Sequence, residues 1–133
     1  LRIKLRELDT YNQKRRAVAD HYDNFFAKYA EINTPARSAN SSHVFHQYTL
    51  TLEGIDRDEL NAHLAELDIP SMIYYPVPAH RQKMFSAFGS ESTNLPITDW
   101  LTERVISLPI HTEMTTEQLE TICNGVASFM EKK

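Results

Sequence analysis

Apolar residues recur at three- and four-residue steps through Leu1, Leu5, Leu8, Val18, Tyr22, Phe25 and Tyr29. That is the period of one helical face. No Gly or Pro interrupts the run, so the pattern predicts one helix of about thirty residues, roughly 45 Å long. A rod of that length exceeds what a small domain can cover, so its N-terminal end is expected either to pack on something beyond this chain or to be a frayed terminal turn. Leu1 is not a methionine and no capping residue precedes the run, so a fragment with more protein upstream is expected.

The period then changes. Thr34-Pro35 and the Ser38–Ser42 tract read as loop. His43–Leu52 is rich in aromatic and β-branched residues and predicts the principal strand. Val44, His46, Tyr48, Leu50 and Leu52 would share one face, and Phe45, Gln47, Thr49 and Thr51 the other. Asp56-Arg57-Asp58-Glu59 has the form of a capping box and opens a helix with Leu60, Leu64 and Leu67 as its stripe. A second strand is expected over Met72–Tyr75, and a short helical turn should carry Met84, Phe85 and Phe88. Gly89–Asn94 reads as a polar loop. A short helix capped by Thr98 or Asp99 follows, with Trp100, Leu101 and Val105. Val105–Leu108 predicts a third strand, stopped by Pro109. Thr115-Thr116-Glu117-Gln118 is a second capping box, opening a terminal helix that buries Leu119, Ile122, Cys123, Val126, Phe129 and Met130. The expected fold is α+β: a small, mostly antiparallel three-stranded sheet covered by helices. Residues 1–30 form a long connecting helix and residues 31–133 a small domain.

Composition narrows the function. With 133 residues, 41% hydrophobic and 24% charged, the chain has the size and make-up of one ordinary globular domain. The net charge of −4 and the isolated Lys14-Arg15-Arg16 run argue against nucleic acid as a partner. No apolar stretch is long enough to cross a membrane. Cys123 is the lone cysteine, which removes disulfide frameworks and fits a cytoplasmic setting. The six histidines show no metal-ligand spacing. Cys123 lies on an apolar stripe, where a structural thiol is expected. Gly54, Gly89 and Gly125 form no phosphate-cradling array. The lysines read as surface charges, with Lys83 near enough to the proline segment to meet an anionic ligand.

The densest chemistry lies in Ile73-Tyr74-Tyr75-Pro76-Val77-Pro78-Ala79-His80. Proline fixes φ and removes a donor, so Pro76 and Pro78 should stop strand pairing and leave a stiff extended loop. Such a loop can hold two phenols and an imidazole in fixed directions, as a ligand site needs. Gln47, Tyr48 and Gln82 belong to the same aromatic-polar group. Together these groups suit neutral, oxygen-rich ligands such as sugars, while their rings can stack on bases. Tyr48 and Tyr74 could equally fill the core with hydroxyls satisfied at its edge. His46 fits a hydrogen-bonded core histidine, and His111 a structural loop residue.

Four segments in order resemble the DegT/StrS sugar aminotransferases: His43–Thr49, Arg57–Leu60, Ile73–Gln82 and Val105–His111. The opening Leu5–Asp9 through Arg15-Arg16 is similar to that family's long connecting helix. The resemblance covers nearly all of the chain but only the C-terminal third of a typical member. It implies the C-terminal small domain of the aspartate-aminotransferase (type I) fold. It also implies a pyridoxal-phosphate-dependent homodimer that moves an amino group, usually from glutamate, to a nucleotide-linked keto sugar. Substrate-binding roles for Tyr74, Tyr75 and His80 follow from it. Many members carry His-Tyr-Pro where this chain has Tyr74-Tyr75-Pro76, which favours Tyr75. The Schiff-base lysine and phosphate cup would lie in an absent large domain, so no cofactor is expected on this fragment and it is expected to be inactive alone. A non-enzymatic ligand- or partner-binding module and a regulatory paralogue are the alternatives.

Overall fold

The computed structural model describes residues 1–89 and 92–132. The expected loop over Gly89–Asn94 therefore falls partly outside the described residues, as does Lys133. The elements are α1 (Arg2–Leu5), α2 (Leu8–Phe26), β1 (Ile32–Asn33), β2 (Tyr48–Leu52), α3 (Arg57–Glu66), α4 (Pro96–Thr102), β3 (Val105–Leu108) and α5 (Thr116–Met130). Two 3-10 turns, Ala79–Arg81 and Lys83–Phe88, lie between α3 and α4.

The single N-terminal helix expected from the apolar stripe is broken. Arg6 and Glu7 donate to Ile3 and Lys4 three residues back, and regular α geometry resumes at Leu8. α1 buries nothing, leaving Leu1, Ile3 and Leu5 exposed. A four-residue helix without a packed face has little to hold it in line with its neighbour. α2 instead buries Val18, Ala19, Tyr22 and Phe26.

The sheet is antiparallel in the order β1-β2-β3, with β2 central. β3 has the bounds expected of it and β2 is a shortened form of the expected principal strand, but the remaining strand is not the one expected. β1 is a two-residue strand too short to leave a sequence pattern. The Met72–Tyr75 strand shrinks to one bridge, in which Met72 and Ser107 exchange backbone hydrogen bonds of 3.0 and 2.9 Å at the outer edge of β3. The prolines that follow cannot continue the ladder. The principal strand starts at Tyr48 rather than His43. Phe45 takes a left-handed φ of +47°, unusual for an aromatic residue, and its amide donates to His43 Nδ1 at 2.9 Å. That turn reverses the alternation: Phe45 is buried while Val44 and His46 are exposed.

From Tyr48 onward the expected faces hold. Tyr48, Leu50 and Leu52 are buried, with Leu108 and Ile106 opposite Tyr48 and Leu50 in register. They join Tyr22, Phe26, Leu60, Leu64, Ile122, Cys123 and Val126 in one core, with α5 packed against α2 and α3. Each fully buried side chain of this size contributes about 1.5–3 kcal/mol. Leu67 ends α3 half-exposed rather than extending its stripe. Met84, Phe85 and Phe88 on the second 3-10 turn are exposed, as are Trp100 and Leu101 on α4.

The caps explain where the helices begin. The Asp56 carboxylate accepts from the amides of Asp58 and Glu59. At α5 the box is reciprocal: Thr115 accepts from Gln118, and the Gln118 side chain accepts from the Thr115 amide. α4 does not start at Thr98 or Asp99. Pro96 occupies its first turn, where a missing N–H costs nothing. That leaves the Asp99 carboxylate available for another task.

Candidate functional site

The helices α2, α3 and α5 cover one face of the sheet. The other face is polar, because Gln47, Thr49 and Ser107 project there. Thr49 and Ser107 sit opposite each other in register and share a 2.7 Å hydroxyl–hydroxyl hydrogen bond. Above this floor runs a cleft of about 270 Å³. One wall is Met72, Tyr74 and Tyr75; the other is Thr98, Leu101 and Thr102 of α4. A smaller hollow of about 200 Å³, toward His46 and Pro109, shares Gln47, Met72, Tyr74 and Ser107 with it. Tyr74 thus borders both. A complete small-molecule site usually encloses roughly 300–1,000 Å³, so the cleft has the size of a part-site.

The sequence-marked residues fare differently. Tyr74 and Tyr75 come together on one wall, 49% and 75% exposed, so both phenols can reach a ligand. His80 is buried, and it is not among the residues lining the cleft. Its Nε2 lies 3.2 Å from Asp99 Oδ1 but without well-directed hydrogen-bond geometry. Asp99 also accepts from Arg81 in a fork, Nε to Oδ1 at 2.9 Å and a terminal guanidinium nitrogen to Oδ2 at 2.6 Å. Hydrogen bonding from Arg81 holds the Asp99 carboxyl below its ordinary pKa. Gln82 turns back on its own loop, donating to the Val77 carbonyl at 3.4 Å.

Tyr48 belongs to the core. It is fully buried, and its hydroxyl donates to Asp23 Oδ1 at 2.6 Å. Arg37 clasps the other Asp23 oxygen and also pairs with Asp20 at 2.6 Å. Burial, followed by the Asp23 hydrogen bond, pushes the Tyr48 phenol far above its usual pKa, and it stays neutral. Tyr22 is the second buried phenol and donates to the Pro109 carbonyl at 2.8 Å. His46 is not a core histidine; it is exposed, 3.4 Å from an Arg15 guanidinium nitrogen. His111 is exposed, its Nδ1 accepting from the Glu113 amide. Cys123 is buried, and desolvation raises its pKa to about 12.

Thr49, Ser107, Thr98 and Thr102 do not stand out in the sequence, although the polar alternation Gln47-Thr49-Thr51 marks the floor. Among the described residues, no group of three or more His, Cys, Asp or Glu could hold a metal ion, and no helix is long and apolar enough to cross a membrane.

A polar sheet face walled by phenols and threonines offers uncharged hydrogen-bonding groups and flat rings to a small molecule. The sequence model of the DegT/DnrJ/EryC1/StrS aminotransferase family matches residues 1–127, and the chain belongs to that family. It is 35% identical over 129 residues to the dTDP-3-amino-3,6-dideoxy-alpha-D-galactopyranose transaminase of Aneurinibacillus thermoaerophilus, covering 97% of this chain and 34% of the relative. It is 38% identical over 126 residues to the UDP-N-acetyl-3-dehydro-alpha-D-glucosamine 3-aminotransferase of Acidithiobacillus ferrooxidans, covering 95% and 33%. The fold superposes on the PLP form of Spr1654 from Streptococcus pneumoniae with a TM-score of 0.87 at 26% identity, covering 98% of this chain and 34% of that one. The chain thus spans about a third of the length of the relatives it matches.

Proposed function

We propose that this chain is the small C-terminal domain of a pyridoxal-phosphate-dependent aminotransferase. The enzyme transfers an amino group from an amino acid, glutamate in our reading, to a nucleotide-linked keto sugar. The cleft is one wall of its substrate site. The observation that carries this reading is the pair Tyr74 and Tyr75, held exposed over a floor of Gln47, Thr49 and Ser107. These groups offer hydrogen-bond donors and acceptors without charge, and flat rings, which suit sugar hydroxyls and a base. Family membership and two relatives named for aminating dTDP- and UDP-linked sugars support it.

The residues described here do not by themselves fit pyridoxal phosphate. Lys4, Lys14, Lys28, Lys83 and Lys132 are all exposed, whereas a Schiff-base lysine needs a desolvated setting that lowers its pKa. Pyridoxal phosphate would act as the electron sink for amino transfer, and our reading assigns its lysine and phosphate contacts to the large domain. The work of this chain is to bind and orient the sugar nucleotide and to close one side of the site to water. A homodimer completes it in this reading, and the isolated chain is inactive.

The test is Tyr75→Phe in the full-length protein. Loss of the hydroxyl should raise KM for the sugar nucleotide while leaving cofactor absorbance unchanged. Unaltered kinetics would remove Tyr75 from the site. A gene that encodes no lysine-bearing cofactor domain alongside these residues would overturn the enzyme assignment.

A further inference from the structure

We infer that Asp99 is a positioning residue that sets the separation of the two cleft walls, acting through Arg81. The inference rests on reading the cleft as the sugar-nucleotide site. The aromatic wall needs an anchor. After the Met72 bridge to Ser107 the chain leaves the sheet, and the hydrogen bonds within the segment are local: Arg81 to Pro78, Gln82 to Ala79, Phe85 to Gln82. Among the described hydrogen bonds and ion pairs, those tying residues 74–88 to a distant part of the chain all run to Asp99.

Asp99 stands on the opposite wall. Thr98, Leu101 and Thr102 of α4 face the cleft and share one helical side. Asp99, one position on from Thr98, turns about 100° away and meets the proline segment. α4 is itself moored, because Arg57 of α3 donates to the Thr102 carbonyl. Asp99 therefore couples a moored wall to one that has left its sheet. The fork from Arg81 fixes direction as well as distance. The buried imidazole of His80 lies against the same carboxylate, its Nε2 3.2 Å from Asp99 Oδ1 but not in hydrogen-bonding geometry. His80 is thus placed beside the Arg81–Asp99 latch rather than in the lining of the cleft.

The experiment uses the full-length protein, with affinity for dTDP-glucose and UDP-N-acetylglucosamine measured by calorimetry. Variants are Asp99→Asn, Asp99→Ala and Arg81→Met, each in the native background and combined with Tyr74→Ala/Tyr75→Ala. Since a wall displaced by about 1 Å can cost a bound ligand much of its fit, each latch variant should weaken binding by about tenfold in the native background. With both tyrosines removed, the same change should weaken it by less than about twofold, because the wall being positioned is gone. Equal weakening in both backgrounds would overturn the positioning role, since a general loss of structure acts regardless of the tyrosines. Weakening by the tyrosine pair with none from any latch variant would overturn the inference and leave the site reading standing. No binding by the native protein, or none lost with the tyrosine pair, would overturn both.

Discussion

Gly125 lies inside α5 at the point where it crosses the end of α3. A Cβ built there would come 2.4 Å from Ile69 Cδ1, 3.3 Å from Leu64 Cδ2 and 3.5 Å from Leu67 Cδ1. The first distance is a clash and the others are contacts. Gly125→Ala should therefore combine a helix-propensity gain of about 1 kcal/mol with an overpacking cost of about 1–3 kcal/mol, for a net loss of about 0–2 kcal/mol. Ile69→Val deletes the clashing methyl and alone should cost about 0.5–1.5 kcal/mol. In the Ile69→Val background the alanine methyl occupies the space just vacated, so Gly125→Ala should become stabilising by up to about 1 kcal/mol. The double-mutant cycle then carries a favourable coupling of about 1–3 kcal/mol. Urea unfolding of the four proteins, followed by far-UV circular dichroism, measures it. Additivity within about 0.5 kcal/mol would rule out the clash, because it would mean that Ile69, though only 4% exposed, rotates aside at no cost.

Other consequences follow from the core and the buried thiol. Leu64→Ala and Ile122→Ala should each destabilise the chain by about 2–5 kcal/mol, whereas Leu67→Ala, half-exposed at the end of α3, should cost well under half as much in the same urea titration. Cys123, raised to about 12 by burial, should react with a thiol-specific disulfide reagent at mildly alkaline pH far more slowly in the native chain than in urea. Because its folded pKa lies above the unfolded value of about 8.5, its contribution to stability is complete below that value. It is lost as pH rises toward about 12. Cys123→Ala should flatten that part of the pH–stability curve, and an unchanged slope would assign it to other groups.

What can be read from the sequence, and what cannot, follows from how local each cause is. Asp56 and Thr115 announce their helices because a cap depends on three or four consecutive residues. The α5 stripe and the alternation from Tyr48 to Leu52 are legible for the same reason. The break at Arg6–Glu7 has no Gly or Pro to mark it and reflects an apolar face with nothing to cover it here. The left-handed Phe45 is held by His43, whose Nδ1 accepts from its amide and whose ring stacks on it, and by the Arg37 guanidinium 4.8 Å from its ring centroid. An apolar and β-branched pattern does not register such a side-chain turn, so the residue pattern places the start of the strand at His43 and the fold places it at Tyr48.

At the site, Tyr74 and Tyr75 can be found because Pro76 and Pro78 dictate a stiff loop wherever they occur. His80 stands out for its chemistry, but its burial beside Asp99 depends on α4 folding back across nineteen residues of sequence. Asp99 itself reads as a possible cap. The signal against that is Pro96, which starts the helix three residues earlier. The threonines of the floor and far wall become a site only when β2, β3 and α4 assemble.

The most direct test is a structure of the full-length protein with a nucleotide sugar bound. The sugar nucleotide should lie across Gln47, Thr49 and Ser107, with the Tyr75 ring in contact with it and Asp99 still gripped by Arg81. A nucleotide sugar bound elsewhere, with Tyr74 and Tyr75 facing solvent, would contradict it.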